Sequence, residues 1–135
     1  PSHGITALKP SDKGGAPEQL WRNAQIGPGT GSPLAIGDLV YSVTRAGVLV
    51  AVNAKDGERL WRIRTEGPYS ASPVAAGGRI YLFNEQGKGQ IIGLGGEEGE
   101  VVSTIDLKGQ ILCTPAISNG AIYVRSDQHL WKLAK

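Results

Sequence analysis

The sequence contains no methionine and one cysteine, Cys113. A single cysteine excludes a disulfide within the chain and a cysteine-based metal cluster. The neighbours of Cys113 place it on a strand, where a small buried hydrophobic residue is favoured over a reactive thiol. Because the chain begins with neither methionine nor an apolar leader, we expect it to be a mature product or part of something longer.

Long apolar runs and strong net charge are also missing. No stretch of about 18 apolar residues is present, so no transmembrane segment is expected. Fourteen Lys and Arg residues face twelve Asp and Glu residues, which leaves a formal charge of +2, and the basic residues are scattered. A nucleic-acid-binding surface needs clustered basic residues, so no nucleic-acid partner is predicted.

Patterns typical of catalytic or metal sites are equally scarce. His3 and His129 have no cysteine or carboxylate at metal-ligand spacing, so solvated or edge-strand positions are expected for both. Glu97 and Glu98 occupy a predicted turn, where they lack the burial that general acid–base catalysis needs. The stretches GLGGEEG and GPGTG lack the Lys-Ser/Thr and the helix of a phosphate loop. We therefore predict no catalytic residue, no metal and no cofactor.

Glycine and proline, in contrast, are abundant. Twenty glycines and eight prolines separate short β-branched or aromatic runs such as DLVYSV, GVLVAV and RIYLF. This pattern is typical of an all-β protein. No window keeps a helical spacing of apolar residues for three turns, which argues against an α/β fold.

The chain also repeats itself. Pro33, Pro73 and Pro115 end the similar stretches GSP, ASP and CTP at spacings of 40 and 42 residues. Three tyrosines keep the same spacings, namely Tyr41, Tyr81 and Tyr123. Each unit of about 40 residues divides into four short strands, which predicts the blade of a β-propeller. The predicted blades cover approximately residues 30–66, 70–108 and 112–135, the last completed by residues 4–26.

The stretch AVNAKDGERLW, residues 51–61, carries the most specific motif. Asp56-Gly57 supplies the positive-φ positions of a predicted hairpin turn. The stretch resembles the PQQ-like (quinoprotein-type) propeller repeat of BamB-like proteins, whose pattern is close to Ala-x-Asp-x-x-Thr-Gly-x-x-x-Trp. Asn53 and Asp56 stand where the family prefers Asp and Thr. The first copy has a longer turn, and the third copy, IIGLGGEEGEVV, puts Val where Trp is expected.

The resemblance implies a structural role for this motif. In the family, the tryptophan at the position of Trp61 docks against the adjacent blade, and Trp21 lies 40 residues earlier in the same position. A large ring with one N–H suits a half-buried seam. Asp56 and Gly57 would form the turn beside it. The alternative is an ordinary core tryptophan.

The resemblance also implies a function. It is that of a non-catalytic scaffold for protein–protein interaction in the periplasm or cell envelope of a bacterium, without a cofactor. Quinoprotein dehydrogenases of the family add an acidic catalytic residue, calcium-ligating residues and often a vicinal disulfide, which one cysteine forbids. The alternative function is a fragment of a larger PQQ-dependent quinoprotein dehydrogenase.

Topology predicts where a partner would bind. Loops joining the second strand to the third emerge on the same side of a propeller as the connections between blades. The candidate partner-binding residues on that side are Tyr69, Arg45, Glu85, Gln86 and Asp127. Tyr69 stands out because an aromatic residue on an exposed Gly-Pro loop suggests contact with a partner, although packing within the blade is the alternative.

The predicted strands make three blades, which do not close a propeller ring by themselves. An open arc of three blades would expose two apolar faces and unpaired strand edges. A head-to-tail homodimer, in which each chain lends its Trp21 strand to the other's final blade, would give a ring of six blades. A truncated piece of a larger propeller is the competing interpretation.

Overall fold

The computed structural model describes residues 4–134, which form thirteen β-strands in four antiparallel sheets. The first sheet contains β1 (Ile5–Lys9) and β2 (Glu18–Asn23). The second contains β3 (Leu34–Ile36), β4 (Leu39–Val43), β5 (Val48–Asn53) and β6 (Arg59–Arg64). The third contains β7 (Val74–Ala76), β8 (Arg79–Phe83), β9 (Lys88–Gly93) and β10 (Glu100–Asp106). The fourth contains β11 (Ala116–Ser118), β12 (Ala121–Arg125) and β13 (Leu130–Leu133).

Each sheet is a meander in which strands adjacent in sequence are hydrogen-bonded neighbours. The prediction of an all-β chain built from four-stranded propeller blades is therefore confirmed. Two of the four sheets are complete, with four strands each. One repeat unit of the sequence corresponds to one sheet.

Two-residue turns join the first strand to the second in the second, third and fourth sheets. Ile36 pairs with Leu39 and Ser118 pairs with Ala121, which leaves Asn119-Gly120 as the turn of the fourth sheet. Both of those turn residues have positive φ, 48° and 73°. Turns of this kind match the twist of the strands only with positive φ, which Gly and Asn adopt most readily. The glycine-rich punctuation of the sequence thus sets the hairpins.

The apolar core lies in the seams between sheets. Alternate residues of β5 face opposite ways, so Leu49 and Ala51 pack toward the third sheet while Val50 and Val52 pack toward the first. A third cluster joins the third and fourth sheets through Phe83, Leu107, Ile111 and Val124. Each complete sheet therefore packs residues of both faces against neighbouring sheets, as a propeller blade does.

The turn between β5 and β6 differs from its prediction. It spans residues 54–58, and only Gly57 has positive φ, 72°, so the expectation of positive φ at Asp56 as well is wrong. The side chains of Asn53 and Asp56 accept hydrogen bonds from the backbone N–H groups of Lys55 and Glu58, both at 2.8 Å. These side chains close the loop locally, so one glycine is enough.

The strand positions constrain the closing blade, which stays a prediction. Ala7 of β1 pairs with Trp21 as Ala51 of β5 pairs with Trp61, so β1 and β2 occupy third and fourth strand positions. β11, β12 and β13 occupy first to third positions. A blade made of residues 112–135 and 4–26 would contain five strands rather than four, because β1 and β13 compete for one position.

Candidate functional site

In the seam between the first and second sheets, an indole ring packs on a glycine. The indole N–H of Trp21 donates a hydrogen bond to the carbonyl oxygen of Ala54 at 2.8 Å, and the side chain is 8% exposed. A Cβ atom at Gly57 would lie 2.4 Å from Cε3 of that ring. Asn23 also donates to the carbonyl oxygen of Gly57, at 3.0 Å. The ring therefore joins the first sheet to the β5–β6 turn of the second.

The same arrangement recurs one repeat later. Trp61 of β6 is half-buried, and its Cη2 atom would lie 2.7 Å from a Cβ atom at Gly99, in the β9–β10 turn of the third sheet. Its ring also packs on Tyr41, with 5.8 Å between ring centroids and a tilt of 54°. Trp61 thus contacts the neighbouring blade and serves a structural role, as does Trp21.

The third sheet breaks this pattern. Ser103 pairs with Ile91 as Trp61 pairs with Ala51, and the register shifts between Val101 and Ser103. The prediction that Val stands at the tryptophan position is therefore wrong. The same register shift lies beside Trp61, but the β9–β10 turn, counted between equivalent paired residues, is two residues longer than the β5–β6 turn, and this places Ser103 at the tryptophan position. Ser103 follows Gly99 at the same spacing as Trp61 follows Gly57, so an alignment on the turn glycine identifies this position from the sequence.

One side of the assembly carries most of the predicted partner-binding residues. We define the loop face as the β4–β5, β8–β9 and β12–β13 loops (residues 44–47, 84–87 and 126–129) together with the linkers 65–73 and 107–115. Arg45, Glu85 and Asp127 occupy equivalent positions in the three loops. Nη2 of Arg45 lies 3.4 Å from Oε1 of Glu85, and Ser70 donates a hydrogen bond to the same oxygen at 2.8 Å.

Backbone hydrogen bonds fix the shape of the loop face. The N–H of Tyr69 donates to the carbonyl of Arg45 at 3.0 Å, and the N–H of Glu85 donates to the carbonyl of Pro68 at 2.9 Å. The N–H of Asp127 donates to the carbonyl of Gln110 at 2.9 Å. Each linker is therefore tied to the loops of the sheets that flank it.

Most exposed side chains of the loop face are polar, and Leu112 is an apolar exception. The Arg45 side chain is 66% exposed, while that of Glu85 is only 16% exposed. Gln86 and Asp127 are exposed. Lys88, at the edge of the β8–β9 loop, is ion-paired with Glu66, and this hydrogen bond raises the pKa of the Lys88 ammonium group. The loop face therefore presents both signs of charge around a hydrogen-bonded backbone.

Tyr69 does not belong to this exposed set. It is 2% exposed and packs in the core cluster between the second and third sheets. Its hydroxyl lies 3.2 Å from Oε1 of Gln90, to which it donates, and burial raises the pKa of the Tyr69 phenol. The prediction that Tyr69 is an exposed contact residue is wrong. A Cβ atom at Gly67 would lie 2.7 Å from the carbonyl oxygen of Arg45, so the linker approaches the loop closely and turns the ring inward.

Other sequence-level candidates do not assemble into a reactive centre. Within residues 4–134, no group of three or more His, Cys, Asp and Glu residues is placed to hold a metal ion. His3 lies outside the described residues, and the ring of His129 packs 5.2 Å from that of Trp131. Cys113 is exposed and lies in the loop before β11, so its predicted buried strand position is wrong. The same described residues include no helix of the length and apolarity that a membrane span requires.

The chain matches a known protein family and several solved structures. A family model described as outer membrane protein assembly factor BamB matches residues 5–94. The fold is similar to that of BamB from Moraxella catarrhalis, with a TM-score of 0.71 and 22% identity, covering 85% of this chain and 33% of that one. No curated protein sequence matches significantly.

Two dehydrogenases share the fold. A quinohemoprotein alcohol dehydrogenase from Pseudomonas putida HK5 matches with a TM-score of 0.59 and 16% identity, over 68% of this chain and 16% of that one. A europium-containing methanol dehydrogenase matches with a TM-score of 0.57 and 12% identity, over 80% of this chain and 21% of that one. The present chain thus spans a third or less of the length of these three proteins.

Proposed function

Because this chain belongs to the PQQ-like repeat family of the outer membrane protein assembly factor BamB, we propose that it is a non-catalytic β-propeller scaffold. In this proposal it binds protein partners in the periplasm of a bacterium, at the outer membrane. The observation that carries the proposal is the loop face, where equivalent loops of three sheets present Arg45, Glu85, Gln86 and Asp127 side by side.

The construction of the loop face supports protein binding. Arginine is enriched at protein interfaces, and Arg45 is largely exposed although it contacts Glu85. The linkers are already fixed by backbone hydrogen bonds, which lowers the entropic cost of ordering the surface on binding. Extended surfaces of this kind are the usual binding sites of repeat proteins.

The proposal that the chain is not an enzyme is supported by the position of its paired carboxylates. Glu97 and Glu98 are exposed in the β9–β10 turn. General acid–base catalysis favours buried side chains that converge on one substrate atom, and side chains in an exposed turn are not buried. The alternative, a fragment of a quinoprotein dehydrogenase, is supported at the level of the fold alone, and one fold hosts many functions.

We also propose association of two copies through the open fourth sheet. Leu130 of β13 is 73% exposed, and an exposed strand edge favours pairing with another chain. The β2 strand of a second copy, paired with β13, would complete a four-stranded blade. In this arrangement β1 of the second copy must leave the third strand position of the blade, because β13 already occupies that position.

A capture experiment tests the scaffold proposal. The chain, the Arg45→Glu/Asp127→Lys variant and the control Arg59→Glu are immobilised and exposed to solubilised outer-membrane proteins of a bacterium that carries BamB. Arg59 begins β6, at the end of the sheet opposite the loop face. We expect one or more proteins to be retained by the native chain and by Arg59→Glu, and lost with the loop-face variant. Equal retention by all three, or retention by none, would contradict the loop face as the binding surface.

A spectroscopic experiment separates the two functions. The purified chain is mixed with PQQ and calcium, then freed of excess quinone. A scaffold retains no quinone absorbance, whereas a dehydrogenase fragment retains a stoichiometric chromophore.

A further inference from the structure

A cavity of about 500 Å³ lies in the seam between the third and fourth sheets. Its lining includes Tyr81, Ile91, Ser103, Ile105, Ile122 and Leu133. This volume falls within the range of small-molecule binding sites, and most of these side chains are apolar. Ser103 is exposed, so the cavity opens to solvent beside β10.

The preceding seam shows what fills the same place when the repeat is intact. Tyr41 and Ala51 of the second sheet correspond in register to Tyr81 and Ile91 of the third. In the second sheet the indole of Trp61 covers Tyr41. In the third sheet Ser103 replaces the indole, so the ring that would cover Tyr81 is absent from the chain itself.

A second substitution in the same seam is compensated more fully than the loss of the indole. Gly89 of the third sheet stands where the second has Leu49, as their pairing with Phe83 and Val43 shows. A Cβ atom at Gly89 would lie 2.6 Å from Cε1 of Phe83, so that larger ring already occupies the vacated space. Beside Ser103, its cross-strand partner Ile91 is larger than the corresponding Ala51 and takes part of the space of the indole, and the rest remains as the cavity.

We propose that this cavity is a binding site for a free, planar aromatic molecule of indole size, seated against Tyr81 as Trp61 is seated against Tyr41. Ring packing on the tyrosine favours an aromatic ligand over an aliphatic one of similar volume. The site lies in a blade seam, apart from the loop face, and does not depend on the scaffold proposal.

The site is tested by titrating the full chain with indole and following its amide chemical shifts. Cyclohexanol serves as the aliphatic control. We expect saturable shifts concentrated at Ser103, Gly120 and Ile122 with indole, and at least about tenfold weaker binding of cyclohexanol. Ser103→Trp should fill the cavity from within and weaken indole binding by about tenfold or more. Thr104→Trp, one residue further on the same strand and outside the cavity lining, should bind indole as the native chain does.

Shifts that rise without saturation, equal binding of cyclohexanol, or unchanged indole affinity in Ser103→Trp would overturn the proposal. Circular dichroism first establishes that each variant is folded. If Ser103→Trp does not fold, Ser103→Leu takes its place with the same expected loss of affinity.

Discussion

The indole ring of Trp21 packs directly on the backbone of Gly57, where a Cβ atom would lie 2.4 Å from ring carbon Cε3. Trp61 stands in the same relationship to Gly99. The same short motif therefore forms the glycine turn between two strands and provides the glycine on which the tryptophan of the preceding sheet packs. Local turn formation and blade-to-blade packing depend on the same residue.

Gly57→Ala should destabilise the chain by about 2 kcal/mol or more, because the side chain meets both an unfavourable positive φ and the Trp21 ring. Gly37→Ala is the matched control, since Gly37 has φ of 56° and nothing within 4 Å of the added Cβ atom. Urea unfolding measures both. Equal losses in the two variants would show that the indole contact adds nothing beyond the backbone strain.

Trp61→Ala should lower the free energy of unfolding by roughly 3 kcal/mol or more, the range for removing a packed tryptophan. The substitution empties the space on Tyr41 and uncovers Gly99. The midpoint of denaturant unfolding reports the effect. A midpoint equal to that of the native chain would exclude Trp61 as a seam residue.

Arg45→Ala and Tyr69→Ala should differ in their effect on stability, because Arg45 lies on the loop face and Tyr69 in the core beneath it. Arg45 is exposed, so its truncation should change stability by no more than about 0.5 kcal/mol while weakening partner capture. Tyr69 is buried, so its truncation should cost about 3 kcal/mol. Thermal unfolding of the two variants measures the difference. A large loss of stability in Arg45→Ala would reassign that residue to structure.

Alkaline pH should destabilise the chain through Tyr69. Burial raises the pKa of its phenol in the folded state above the ordinary value of 10.0. The unfolded chain therefore loses this proton first, so stability is fully present below about pH 10 and falls as the pH rises toward the folded-state pKa. Tyr69→Phe should reduce this fall in unfolding experiments between pH 9 and 11. An identical pH dependence in both proteins would contradict a role for Tyr69.

Light scattering on the purified chain tests whether two copies close a propeller ring. The two-chain ring predicts a mass near twice 14.2 kDa. A stable monomer would rule that ring out, and indefinite association would favour the interpretation as part of a larger propeller. Because β1 and β13 compete for one strand position, a dimer should also show loss of amide exchange protection in β1.

The strands and their order follow from the sequence because the information is local. Turn glycines, alternating apolar residues and a repeat of 40 to 42 residues recur within short stretches, and neighbouring strands pair with one another. The same topology explains why Arg45 and Glu85, 40 residues apart, are brought together. Equivalent loops of adjacent blades emerge on the same side.

The tertiary structure decided the features that depend on contacts between distant segments. Tyr69 is buried because the linker at Gly67 packs against the backbone of residues 45–47, which no pattern around Tyr69 indicates. Ser103 at the tryptophan position, in contrast, follows from the longer β9–β10 turn in the sequence. The exposure of a side chain depends on how one segment packs on another, so residue spacing along the chain does not determine it.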